Sequence, residues 1–196
     1  MLTFNNLTVS NSDRDLLNSI SFSILPGGIF NFHGSNGIGK TTFLNTIAYA
    51  ISDSGKVLFN DKDLTINQST YIPIDMGGYP TLQVKQNLEI FASLNDNHLA
   101  LVPSVKVFEL DEYLDSDLQS LSTGWQKRVL LSTLLFTQTP IWIIDEPFSN
   151  LDADSTQRVY EVLLSRAANG GIILISSHIP LKFDEITNIN LEDFRC

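Results

Sequence analysis

The stretch GSNGIGKTTF (residues 34–43) follows the apolar run GGIFNFH (residues 27–33) and decides how the rest of the chain is read. Gly34, Gly39, Lys40 and Thr41 stand at the spacing G-x-x-x-x-G-K-S/T. Such a loop exposes successive backbone N–H groups to an anion, and the helix behind it adds the positive end of its dipole. Gly34 permits the tight turn, while Gly37 and Gly39 let the backbone approach phosphate without a Cβ in the way. The lysine is placed to reach the β- and γ-phosphates and the Thr41 hydroxyl to ligate Mg²⁺. A glycine-rich turn capping a helix is the plainer reading, but the strand before the loop and the helix after it favour a nucleotide.

Working outward, the N-terminal segment mixes Leu2, Phe4, Leu7 and Val9 with polar residues, and ISFSI puts Ile20, Phe22 and Ile24 on one face. Both predict half-buried strands. GKVLFNDKDL predicts a hairpin turning at Asn60–Asp61. Phe43, Leu44, Ile47 and Ala48 have helical spacing. From residue 84 to 136 the pattern is mostly helical, with a break near Pro103. Strand IWIID, helix STQRVYEVLLSRAAN and strand GGIILISSH follow, and the latter is read as the last core strand. The order predicts an α/β nucleotide-binding core in one domain over residues 1–196, with a helical lobe inserted at about 77–130.

Composition narrows the partners. Twelve Lys and Arg against 22 Asp and Glu give a formal charge of −10, which argues against nucleic acid, where basic residues supply much of the affinity. The single cysteine, Cys196, has no intrachain partner, so a reducing compartment is the simple reading. The N-terminus lacks a basic leader with an apolar core, and no apolar run nears the ~20 residues that cross a bilayer. Contact with a membrane is therefore expected through a partner.

Three further sites carry chemistry. Asp145 ends an apolar strand and can hold Mg²⁺ through water; Glu146 follows it and can polarise a water across the γ-phosphate. His178 lies at the end of another strand, on the edge where open α/β sheets bind ligands, within reach of the γ-phosphate. Ser122 is an N-cap candidate for the helix in LSTGWQKR, with Gly124 keeping its backbone accessible. That second anion-binding helix start suggests a site completed by a second copy of the chain.

Taken in order, GSNGIGKTT, LSTGWQKRV, IWIIDEP, SNLD and LISSH resemble the phosphate loop, signature, magnesium-and-base strand, D-loop and switch histidine of the nucleotide-binding subunits of ATP-binding-cassette (ABC) transporters. The resemblance spans nearly the whole chain. It implies a P-loop NTPase fold of the ABC type, an α/β core with a small antiparallel β subdomain and a helical lobe. It also implies ATP and Mg²⁺ as cofactors, and hydrolysis of ATP to ADP and phosphate coupled to transport. Gly34, Ser35, Asn36, Gly37, Ile38, Gly39, Lys40, Thr41 and Thr42 are then the nucleotide-binding loop. Lys40, Glu146 and His178 become catalytic, Thr41 and Asp145 metal-holding, and Ser122, Gly124 and Asp152 the groups that meet nucleotide across a head-to-tail homodimer. Integral membrane subunits are the implied partners, and the cytoplasmic face of the inner membrane is the implied location.

Within the family, the signature and the GGIILISSH ending are similar to the ATPase of bacterial haem exporters used in cytochrome c maturation. An ATPase for another small-molecule exporter, or a non-transport ABC ATPase, remains the alternative. Three departures from the family pattern stand out. SNSDRDL (residues 10–16) carries no aromatic to stack on adenine, which leaves a group such as Arg14. Asp75 stands where a metal-linking glutamine is usual and is a candidate metal ligand. Trp125 follows the signature glycine and is a candidate for subunit contact.

Overall fold

The computed structural model describes residues 1–12, 14–52, 54–73 and 78–196. Its elements in chain order are β1 (Leu2–Ser10), β2 (Asp15–Ile24), β3 (Ile29–His33), α1 (Lys40–Ala48), β4 (Ser54–Phe59), β5 (Lys62–Asp63), β6 (Ser69–Ile72), α2 (Val84–Leu94), α3 (Leu101–Val107), α4 (Thr123–Ser132), β7 (Ile141–Ile144), α5 (Ala153–Ala168), β8 (Ile172–Ser177) and β9 (Ile186–Asn190). Two compact units divide the chain. The first comprises residues 1–71, 139–147 and 163–196, and the second residues 72–138 and 148–162.

The first unit holds two sheets among the described residues. One is antiparallel, in the order β2-β1-β4-β5; the other runs β6-β7-β8-β3-β9, with β7, β8, β3 and β9 parallel. The three-residue step from Phe4 to Leu7 reflects a bulge. Asn6 takes a left-handed φ of 49°, which returns Leu7 and Val9 to the buried face after Leu2 and Phe4. The β4–β5 hairpin turns at Asn60 and Asp61, both left-handed, as the two-residue turn of a twisted hairpin requires.

Aromatic rings join the sheets. Phe4 lies 4.9 Å from Phe22 and 5.8 Å from Phe43, and Phe43 lies 4.7 Å from Phe32. Phe4, Phe32 and Phe43 are fully buried, each contributing about 1.5–3 kcal/mol of burial energy. Because Phe32 is on β3 and Phe43 on α1, this cluster clamps both ends of the loop at residues 34–39.

β7 and the first four residues of β8 read as continuous apolar runs because both of their faces are covered. One strand departs from expectation. β9 extends the parallel sheet beside β3, so β8 is not the last core strand. Its sequence, ITNIN, lacks a continuous apolar run because an edge strand buries less of its surface.

The second unit is helical. α2, α3 and α4 pack on one another and on the turn at residues 133–136, burying Val84, Leu88, Phe108, Leu131 and Phe136. Pro103 does not break the pattern. It sits in the first turn of α3, where the missing N–H has no helical partner anyway. The break falls instead at residues 95–100, and residues 108–122 form two short 3₁₀ helices, 111–113 and 118–120, joined by turns.

Candidate nucleotide-hydrolysis site

The loop between β3 and α1 is held from behind by its own lysine. Lys40 Nζ donates to the Gly34 carbonyl at 2.9 Å and to the Ser35 carbonyl at 3.2 Å. Gly39 precedes the helix at φ 112°, a conformation other residues reach only with strain. A side chain there would also meet Leu16 at 3.2 Å. Gly37 is left-handed as well, at φ 80°.

Thr41 Oγ1 donates to Asp145 Oδ2 at 2.6 Å, which brings the first turn of α1 to the end of β7. Asp145 is only 1 % exposed, and its other oxygen accepts a hydrogen bond from Ser176 Oγ. The same hydroxyl accepts from the backbone N–H of Glu146 at 2.9 Å. Ser176 thus fixes both acidic residues, and neither motif nor spacing pointed to it. The available signal was a pair of serines, Ser176 and Ser177, both buried, that follows the apolar run Ile172–Ile175 in β8.

Glu146 has a φ of 51°, a left-handed conformation costing about 1–3 kcal/mol for a side chain of this kind. The turn reverses its direction relative to the strand and brings Oε1 within 3.4 Å of His178 Nε2. His178 Nδ1 lies 3.5 Å from Lys40 Nζ. The chain Lys40–His178–Glu146 therefore runs along one edge of the parallel sheet, beside the Thr41–Asp145 pair. Tyr71, on the neighbouring strand β6, has its hydroxyl pushed well above the usual range by burial and secondarily by Asp145, so it remains a neutral donor.

A second carboxylate reaches the loop from afar. Glu192, in the turn after β9, accepts at Oε1 from the Ser35 N–H at 3.2 Å and from the Ser35 hydroxyl. These bonds hold its carboxyl below the ordinary range. It belongs to a segment in which sequence reasoning found no motif.

The second unit gathers Ser122, Gly124 and Asp152. Ser122 caps α4, accepting from Trp125 N–H at 3.4 Å. Asp152 accepts from Ser155 N–H at 2.7 Å and caps α5, and Ser155 keeps its carboxyl below the usual range. Together with Thr123, Trp125, Arg128 and Asn150 they line a cleft of about 280 Å³. Trp125 packs within its own chain. Tyr113 lies 4.1 Å from its ring and the Arg128 guanidinium 3.9 Å from its centroid. Arg128 and Arg158 both pair with Glu109, which braces the start of α4.

Among the described residues no cluster of three His, Cys, Asp or Glu side chains forms a self-sufficient metal cage. The donors present, one hydroxyl and one carboxylate, suit a Mg²⁺ that keeps waters and phosphate oxygens as its other ligands. Asp75 lies outside the described residues. No helix among the described residues is long and apolar enough to cross a membrane.

A strand–loop–helix phosphate cradle facing an aspartate–glutamate strand end defines a P-loop nucleotide hydrolase. Residues 17–149 match the ABC transporter family. The chain is 31 % identical to the cytochrome c biogenesis ATP-binding export protein CcmA of Rickettsia bellii, covering 91 % of this chain and 93 % of that protein. It is 28 % identical to the protein of the same name from Wolbachia pipientis wMel over 99 % of this chain and 98 % of that one. Among solved structures, an ABC transporter ATP-binding protein from Pyrococcus furiosus superposes with a TM-score of 0.88 at 30 % identity, covering 100 % of this chain and 99 % of the other. The chain belongs to the ABC transporter family, as one of its ATP-hydrolysing nucleotide-binding subunits.

Proposed function

We propose that this chain hydrolyses Mg-ATP to drive the haem exporter of cytochrome c maturation. The observation that carries the hydrolytic chemistry is the alignment of Lys40, His178 and Glu146, at 3.5 and 3.4 Å, beside the Thr41–Asp145 pair. Lys40 exchanges its two loop carbonyls for the β- and γ-phosphates when nucleotide enters. Glu146 accepts a proton from the attacking water as the water oxygen bonds to the γ-phosphorus and the bridging oxygen departs with ADP. His178 donates to the γ-phosphate and keeps the Glu146 carboxylate aimed at the water. Thr41 and Asp145 would hold Mg²⁺, which when bound neutralises charge on the β- and γ-phosphates.

The cleft around Ser122 and Gly124 serves the nucleotide of a second copy, head to tail, with Asp152 shaping the contact. A rate per chain that rises with protein concentration through the dimerisation range would support this. A concentration-independent rate from a persistent monomer under Mg-ATP would overturn it.

Similarity to the CcmA proteins of two bacteria, over more than nine-tenths of this chain, supports the haem-export reading. Deleting the gene should abolish covalent c-type cytochromes while b-type cytochromes survive, with the membrane subunits carrying the cargo site. Unchanged c-type cytochromes would reject haem export and leave the ATPase standing. The Pyrococcus furiosus chain, similar at 30 % identity and described only as an ABC transporter ATP-binding protein, favours as second reading an ATPase for a different cargo.

A further inference from the structure

A cleft of about 270 Å³ adjoins the outer side of the phosphate loop, bordered by loop residues 35–38, by Arg14, Asp15 and Leu16, and by Arg195. A nucleotide whose phosphates occupy the loop must place its sugar and base in space continuous with that loop, and this cleft is such a space. Among the described residues its walls carry no aromatic ring. They carry two guanidinium groups instead.

Arg195 is not a loose tail residue. Its backbone bridges to Leu17 of β2, the next N–H donates to the Leu16 carbonyl at 3.3 Å, and its own N–H donates to the Glu192 carbonyl. Its Nη1 lies 3.6 Å from Glu192 Oε2, while Glu192 Oε1 holds Ser35 of the loop. One carboxylate thus positions the loop and the arginine together. Arg14 also lines the cleft, and its backbone is held by paired bonds with Asn11 between β1 and β2. Both guanidinium groups are solvent-exposed and available to a ligand.

We propose that Arg195, supported by Arg14, holds the nucleotide base in this cleft, replacing an aromatic stack by a guanidinium plane and its donors. This rests on the ATPase reading above. A planar guanidinium stacks on a base face and donates to purine edge acceptors, and a lysine ammonium reproduces only the charge. Asp15, also lining the cleft, supplies an acceptor for an exocyclic amine, though it already accepts from Ser10 Oγ at 2.7 Å.

The test is calorimetric binding of ATP and of inorganic tripolyphosphate, each with Mg²⁺, to the full chain and to Arg195→Ala, Arg195→Lys and Arg14→Ala. Arg195→Ala should weaken ATP roughly tenfold, in line with a cation–π contact, and leave tripolyphosphate within twofold. Arg195→Lys should lose nearly as much ATP affinity, and Arg14→Ala a smaller part. Unchanged ATP affinity in Arg195→Ala overturns the proposal. So does equal weakening of ATP and tripolyphosphate, which would reduce the arginine to a general positive charge. Failure of the unaltered chain to bind ATP would instead overturn the ATPase reading.

Discussion

A Cβ placed on Gly124 would stand 2.8 Å from the carbonyl oxygen of Asn150, so the start of α4 and the SNLD loop touch backbone to backbone. Asn150 itself is left-handed, at φ 61°. The contact leaves no flexible side chain to yield. Gly124→Ala should therefore shift one backbone away from the other, at a cost of about 1–3 kcal/mol. We expect a lower thermal midpoint and a fall in ATPase rate, with ATP binding by the phosphate loop preserved. Loss of ATP binding in this variant would contradict the assignment of Gly124 to a separate site.

Glu146→Gln keeps the shape of the side chain and its contact with His178 but removes the base. The rate should fall about 10²- to 10⁴-fold, the range for a general base, with nucleotide affinity little changed. Because the nucleotide then persists, a dimer should accumulate under Mg-ATP in light scattering. A variant that no longer binds ATP would make Glu146 structural.

Ser176 holds both acidic residues with one hydroxyl. Ser176→Ala should leave the Glu146 N–H without this partner in a buried site, costing about 1–3 kcal/mol of stability. It should also slow hydrolysis, since the one hydroxyl ties the Asp145 carboxylate to the Glu146 backbone. Ser176→Thr keeps the hydroxyl and should recover part of the rate. Steady-state kinetics on the pair separates positioning from simple folding damage.

His33, at the end of β3, has a pKa below its ordinary 6.5, chiefly because of burial and despite the opposing charge of Asp193. Above pH 6.5 the ring is neutral in both folded and unfolded chains. Between 6.5 and the lower folded value only the unfolded chain takes up the proton, so stability declines as pH falls through that window. The fall in thermal midpoint from pH 7.5 to 5.5 should be smaller in His33→Gln. An identical fall would assign the pH dependence to other groups.

What could be read from residue order alone were the features whose physics is local. The phosphate loop is a run of N–H groups and glycines; the β4–β5 turn needs two left-handed residues; Ser122 caps the helix it precedes. Each is complete within a few residues, so pattern sufficed, and the ordered set of motifs pointed to the ABC family. Periodicity was less reliable where burial is partial. Residues 108–122 looked helical but fold as short 3₁₀ helices and turns, and ITNIN became strand β9 only because β3 offers an edge.

Tertiary structure alone decided the contacts between distant segments. Glu192 lies 157 positions from Ser35, and Ser176 lies 31 from Asp145, so no local pattern records either bond. The left-handed turn that aims Glu146 at His178 is likewise imposed from outside, by the bond from its N–H to Ser176 and by the packed ends of β7 and β8. Short-range order named the chemistry because a phosphate cradle is made of neighbouring backbone. The alignment of base, histidine and metal-holding pair needed the folded sheet, because parallel strands ending on one edge bring His178 to Lys40 and Glu146, and Asp145 to Thr41.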